Sequence, residues 1–236
     1  MIKLSSQKLF LKAIFLISLF FTASIAMAQE NKPSIKFNLF SVDGVVISDT
    51  ILLNNEYEKK YNIPIKIPFK IQVPRQKGVK RYVEYGEDGT SMIIKINFAT
   101  GGNSDIPQSE RELVENVQFI SMKIPMKEGE RIKILASLMM NDAFEMATAA
   151  YEEKEYLGAR LTKINGIDVM DAAGKYISPE LGLVYVRMTG YLNPNGTDSI
   201  YSIANIVANK YEITDLDQLF LTSSGKTISS FEYIKQ

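Results

Sequence analysis

Acid–base chemistry in this chain rests on carboxylates and lysines. The 236 residues include 27 acidic and 27 basic side chains but neither histidine nor cysteine. Without histidine the usual neutral-pH general base is missing. With cysteine absent too, Ser-His-Asp triads, Cys-His dyads and ordinary zinc or copper sites are excluded. What remains is a carboxylate pair of the kind glycosidases use, or a Ser-Lys pair. No spacing singles out two of the Asp and Glu residues for such work. The sequence therefore assigns no catalytic, cofactor-binding or metal-binding residue.

Several short strings imitate binding motifs and fail on inspection. Ser224-Gly225-Lys226-Thr227 ends like a phosphate-binding loop, but the first glycine of that pattern falls on Phe220. Asn193-Pro194-Asn195-Gly196-Thr197-Asp198 offers oxygen side chains around a glycine, as calcium loops do. It lacks the EF-hand spacing and the distal bidentate glutamate, and Pro194 favours a plain turn. Asn195-Gly196-Thr197 has the form of a glycosylation acceptor, which matters only in a eukaryotic secretory pathway. Leu161 to Val169 is similar to the strand-turn-strand of PDZ domains, but the glycine-bearing carboxylate loop that should precede it is missing.

The ends and the charge point to a compartment. Lys3, Lys8 and Lys12 form a basic leader, Ala13 to Ile25 is an apolar run, and Ala26-Met27-Ala28 is a small-x-small triplet before Gln29. This is the layout of a secretory signal peptide over residues 1–28, cleaved between Ala28 and Gln29, with a run shorter than the ~20 residues of a spanning helix. The alternative is an uncleaved N-terminal anchor. A lipid anchor would need a cysteine after the cleavage site, and no later segment is apolar enough to span a membrane. Losing the three leader lysines leaves 24 basic groups against 27 acidic ones. A mildly acidic protein with no basic stripe has no electrostatic reason to bind nucleic acid. The expected product is soluble and periplasmic or secreted, held together by packing without disulfides.

The elements that would position any site read mostly as strands. Ser34–Val42 and Val45–Leu53 flank Asp43-Gly44 as a hairpin, with residues 31–54 lying as an appendage over the domain edge. From Ile63 to Pro74 every odd position is apolar, so this is a strand with one buried face. Its Pro64, Pro68 and Pro74 all remove donors from one edge, which predicts a border strand with that edge unpaired. Val79–Tyr85 and Thr90–Phe98 continue a meander. Ser109-Glu110-Arg111-Glu112 fits a capping box, predicting a short helix that buries Leu113, Val114 and Val117. Phe119–Met126 and Arg131–Ala136 read as strands. A second helix begins near Ser137 with Met140, Phe144, Ala147 and Tyr151 on its inner face. Asn165-Gly166 joins Ala159–Ile164 to Ile167–Met170 as a hairpin. Leu183–Leu192 and Ser199–Val207 flank the turn at 193–196, Ser223–Lys226 is a turn, and Ile228–Ile234 closes the chain as a strand. The expected fold class is α+β: a mostly antiparallel, twisted sheet flanked by two or more helices, in one domain over residues 29–236.

The series Phe69-Lys70-Ile71-Gln72-Val73-Pro74, a hairpin, a capped helix at 109–118, an Asn-Gly hairpin and a closing Ser229-Ser230-Phe231 resembles the Mog1/PsbP/DcrB-like superfamily over residues 63–234. The departure is Phe119 to Ala136, strand-like where the family is more helical. The resemblance implies an α/β/α sandwich that mainly docks other proteins and has no common catalytic residues. The expected function is that of an exported, non-enzymatic protein binding another protein or an envelope component, without a cofactor. The alternatives are a carboxylate-based hydrolase of envelope or extracellular glycans, and a secreted factor with an external target.

Overall fold

Apolar alternation builds two antiparallel sheets that share one core. The computed structural model describes residues 45–62, 67–87, 90–100, 112–126, 129–211 and 213–234, all within one unit. The strands are β1 (Val46–Leu53), β2 (Phe69–Arg75), β3 (Lys80–Tyr85), β4 (Met92–Ala99), β5 (Leu113–Lys123), β6 (Lys154–Ile164), β7 (Ile167–Ser178), β8 (Gly182–Tyr191), β9 (Asp198–Val207) and β10 (Glu232–Tyr233). Helix α1 (Asn55–Tyr61) follows β1; α2 (Arg131–Ser137) runs through a π-helical turn, Leu138–Ala143, into α3 (Phe144–Ala147); α4 (Ser223–Ser229) precedes β10. The large sheet has the order β3-β4-β5-β9-β8-β7-β6, and the small one β1-β2-β10. This is the expected α+β class with antiparallel sheets. The flanking layers differ from an α/β/α sandwich. α2, the π-helical turn and α3 cover one face of the large sheet through Leu135, Met139, Ala143 and Phe144. The small sheet and α4 cover the other through Phe69, Ile71, Val73, Ile228 and Phe231. None of the helices among the described residues is long and apolar enough to cross a membrane.

The proline-bearing strand departs from its predicted place at a border. β2 lies in the middle of its sheet, paired with β1 from Phe69↔Leu53 to Arg75↔Val46 and with β10 at Phe69↔Tyr233 and Lys70↔Glu232. Pro68 and Pro74 do share an edge, whose pairing is correspondingly short, while Pro64 lies outside the described residues. Pro68 contributes only its carbonyl, to the Ile234 amide at 3.0 Å. The Gln72 amide is met by Ser230 Oγ at 2.7 Å, and Pro74 falls beyond that contact. A strand can therefore be added to a proline edge where the missing donors fall outside the ladder. β1 is likewise an integral strand, with Leu53 fully buried, whereas the partner strand expected at 34–42 and the signal peptide lie outside the described residues.

Several helix and strand expectations are corrected. Leu113, Val114 and Val117 sit on strand β5, not on a helix, while the capping serine lies outside the described residues. Glu115 is the cause: it is a carboxylate fully buried on the same strand face as Val117 and Phe119, so the apolar alternation is broken in the sequence. Arg131–Ala136 is helix rather than strand, and its apparent alternation through Ile132, Ile134 and Ala136 is superseded by burial of Leu135, Met139 and Ala143 at helical spacing. Met140 is consequently 49% exposed, one position off the predicted inner face. Ser223–Lys226 opens helix α4 instead of forming a turn, and the closing strand shrinks to Glu232–Tyr233.

Helix α4 is held at both ends. At its start, Glu115 accepts the amides of Ser223 (3.0 Å) and Ser224 (2.7 Å), and Thr222 Oγ1 accepts that of Gly225 (3.1 Å). The orphan donors of its first turn are thereby filled without water. Tyr211 donates its hydroxyl to the same carboxylate. Midway, buried Arg187 donates to Asp171 Oδ1 at 2.8 Å and to the Gly225 carbonyl at 3.3 Å, with its guanidinium 3.7 Å from the Phe220 ring centroid. A Cβ at Gly225 would stand 1.9 Å from the Leu219 carbonyl oxygen, so the chain crosses too closely for any other residue. At the end, Tyr191 donates to the Ile228 carbonyl at 2.9 Å and stacks on Phe231 with 4.0 Å between ring centroids. Truncating Phe231 to alanine should cost about 3–5 kcal/mol of unfolding free energy. Glu115→Gln should cost about 2 kcal/mol, because the amide offers one acceptor to donors that need two oxygens. Urea denaturation of the two variants checks both; a Glu115→Gln midpoint equal to that of the parent would contradict the assignment.

Candidate functional site

Four chain segments meet at one end of the sheets to form a cleft of about 920 Å³. The first segment brings Met126, ahead of α2, and Arg131 and Ile132 at its start. The second is the β6–β7 turn with Asn165 to Asp168, the third is the turn after Leu192, and the fourth is Glu232 to Ile234. Each is placed by a local rule. Asn165 (φ 49°) and Gly166 (φ 80°) adopt the left-handed conformations of a tight two-residue hairpin, as expected from the pair. Asn193 spends its side chain on its own turn: Oδ1 accepts the Asn195 amide at 2.9 Å and Nδ2 donates to the Asp198 carbonyl at 2.9 Å. The plain-turn reading of 193–198 thus matches the geometry. The phosphate-loop look-alike at 224–227 lies in α4, whose first amides are occupied by Glu115.

Arg131 joins two of these segments. Its Nη1 donates to the Asn193 carbonyl at 2.7 Å and its Nη2 to the Gly196 carbonyl at 2.6 Å. Its Nε is buried without a partner, and no carboxylate among the described residues pairs with it. The two acids of the cleft are engaged elsewhere: Asp168 by Lys163 Nζ at 2.5 Å and Glu232 by Lys70 Nζ at 2.8 Å. The floor is apolar. Leu192 is buried, Ile132, Ile167 and Ile234 are half-buried, and Met126 is 55% exposed. A flexible, polarizable methionine at the mouth of an apolar cleft suits a surface that repacks around a guest.

The wall formed by β10 is fixed and carries an open edge. Tyr233 donates its hydroxyl to the Tyr191 carbonyl at 2.8 Å and accepts the Ile200 amide at 3.1 Å. Asn165 Nδ2 donates to the Phe231 carbonyl at 2.9 Å, tying the hairpin turn to the outer side of the closing segment. Glu232 and Ile234 turn their backbone groups toward β2, so those of Tyr233 point to that outer side. They have no hydrogen-bond partner among the described residues.

Sequence reasoning placed the Asn165-Gly166 turn and the 193–196 turn but not their meeting with Arg131, which it set on a strand. No local pattern could have shown it, since the cleft joins segments far apart in the chain. The predicted cleavage site, Ala28 and Gln29, lies outside the described residues. Among those residues no group of three acidic side chains is close enough to hold a metal ion.

No family model matches the chain, and no curated protein matches it by sequence. Among solved structures it is similar to the cyanobacterial PsbP of Synechocystis sp. PCC 6803, at 10% identity over 87% of this chain and 99% of that one, with a TM-score of 0.45. It is also similar to LpqN of Mycobacterium tuberculosis, involved in cell envelope biogenesis, at 11% identity over 79% and 91% of the two chains and a TM-score of 0.44. The Ran-binding protein Mog1p of Saccharomyces cerevisiae follows at 8% identity, 78% and 95% coverage and a TM-score of 0.41. These neighbours have Mog1/PsbP-like folds, the group that the motif series resembles, and the likeness concerns fold alone.

The buried phenols make the fold sensitive to alkali. Burial pushes Tyr191, Tyr211 and Tyr233 well above the ordinary tyrosine value, and the Glu115 charge pushes Tyr211 further. A group whose pKa is raised on folding contributes stability that is complete below its unfolded value, about 10 for tyrosine, and is lost as pH rises beyond it. Urea midpoints measured from pH 8 to 11.5 should therefore hold to about pH 10 and then fall. A midpoint that stays flat to pH 11.5 would show these hydroxyls to be solvated.

Proposed function

We propose that this is an exported, non-enzymatic protein that binds another protein or a component of the cell envelope through the cleft beside β10. The observation that supports it is the composition of that cleft: an apolar floor, an exposed methionine at the mouth, and a guanidinium without an acidic partner among the described residues. Enclosed space with a few placed polar groups is the usual form of a binding site. Export rests on the basic leader, apolar run and small-residue triplet of residues 1–28, and the compartment that follows is the periplasm or the exterior.

A second reading has one observation behind it, since Asp168 and Glu232 line the same cleft and could be a glycosidase pair. Such a pair needs one carboxyl kept protonated in an apolar pocket beside the scissile bond. Here both side chains are about half exposed, at 56% and 44%, and each is held by a lysine ammonium. That is the setting of surface ion pairs, so binding is the better reading.

Met126 offers a clean test because its exposure lets it change without disturbing the core. Affinity capture from envelope extract with the parent and with Met126→Glu, read by mass spectrometry, should retain a reproducible partner on the parent and lose most of it on the variant. An identical set on both would remove the cleft from the account. Glycan hydrolysis by the parent that Asp168→Asn abolishes would favour the second reading.

A further inference from the structure

The geometry points to an extended peptide segment as the occupant of the cleft, one that carries a carboxylate between apolar side chains. This rests on the reading of the cleft as the binding site and goes further by naming the chemistry of the guest. Three features converge on it. The outward N–H and C=O of Tyr233 are a short free strand edge, and an extended chain supplies its missing partners. Because Asn165 already caps the Phe231 carbonyl on the same side, the free edge begins at Tyr233, which fixes where the guest strand starts. Charge decides the polar part of the guest. With Asp168 and Glu232 neutralised by Lys163 and Lys70, Arg131 is the unbalanced charge among the cleft's described residues. Its two carbonyl contacts hold the guanidinium plane in place and use one N–H of each terminal nitrogen, leaving a second on each. A planar, positioned guanidinium is suited to a carboxylate. Side chains on alternate positions of an extended guest face the same way, so residues flanking the acid by two positions reach the apolar floor at Ile132 and Leu192.

The proposal predicts a sequence pattern, and random nonapeptides displayed on phage and selected on the purified protein would reveal it. Enriched peptides should share an Asp or Glu with apolar residues two positions away. Their affinity should fall about tenfold or more on Met126→Glu, which adds a negative charge at the mouth, and hold or rise on Met126→Lys, which removes the same apolar contact. Arg131→Gln should weaken binding to a similar degree with an unchanged circular dichroism spectrum. Enriched peptides without an acidic position, or equal affinity for Met126→Glu and Met126→Lys, would overturn the proposal while leaving the cleft as a binding site. No enrichment above an unrelated protein, or stoichiometric binding of oleate in place of peptides, would overturn it in favour of a different guest. The failure of the cleft itself is read separately, by the Met126→Glu capture experiment.

Discussion

The fully buried carboxylate of Glu115 facing the first amides of α4 is the contact on which the arrangement of this molecule depends. A buried charge is costly unless its lone pairs are met by donors, and a helix start is costly unless its amides are met by acceptors. Each cost is offset by the other here. The pairing fixes α4 over β5, and through α4 it fixes everything that follows. Phe231 can then stack on Tyr191, Ser230 can reach Gln72, and β10 can pair with β2. The small sheet is closed by its C-terminal strand only because that strand is delivered by a pinned helix.

The same chain of contacts links core to cleft. β10 is two residues long and would not hold a fixed position by its own pairing. The Tyr233 hydroxyl anchors it to the large sheet, and the Asn165 amide ties the preceding Phe231 carbonyl to the β6–β7 turn. A short edge set in this way offers a guest few free backbone groups and is a weak template for unwanted sheet growth.

What could be read from the residues alone follows their environment. β8 and β9, rich in apolar residues, and the Asn165-Gly166 hairpin carry their structure in local sequence, and the fold class followed from them. Glu115 hid a central strand because a charged residue in the middle of LVENV imitates the polar face of a helix. Arg131 to Ala136 hid a helix because isoleucines at alternate positions imitate a strand, and the π-helical turn then moved burial from Met140 to Met139. The proline phase of β2 was legible, whereas the length of its partner was not, since β10 is placed by α4. The cleft was invisible for the same reason: its walls are near only after both sheets have formed.

Amide hydrogen exchange at Ser223 and Ser224 tests the central contact most directly. First-turn amides of a short helix that face solvent exchange quickly, whereas amides held by a buried carboxylate open only with the whole fold. The account predicts protection at these two amides equal to that of the central strands β8 and β9. Exchange at the rate of the exposed turns would contradict it, and with it the claim that the C-terminal segment and the cleft wall are pinned by Glu115.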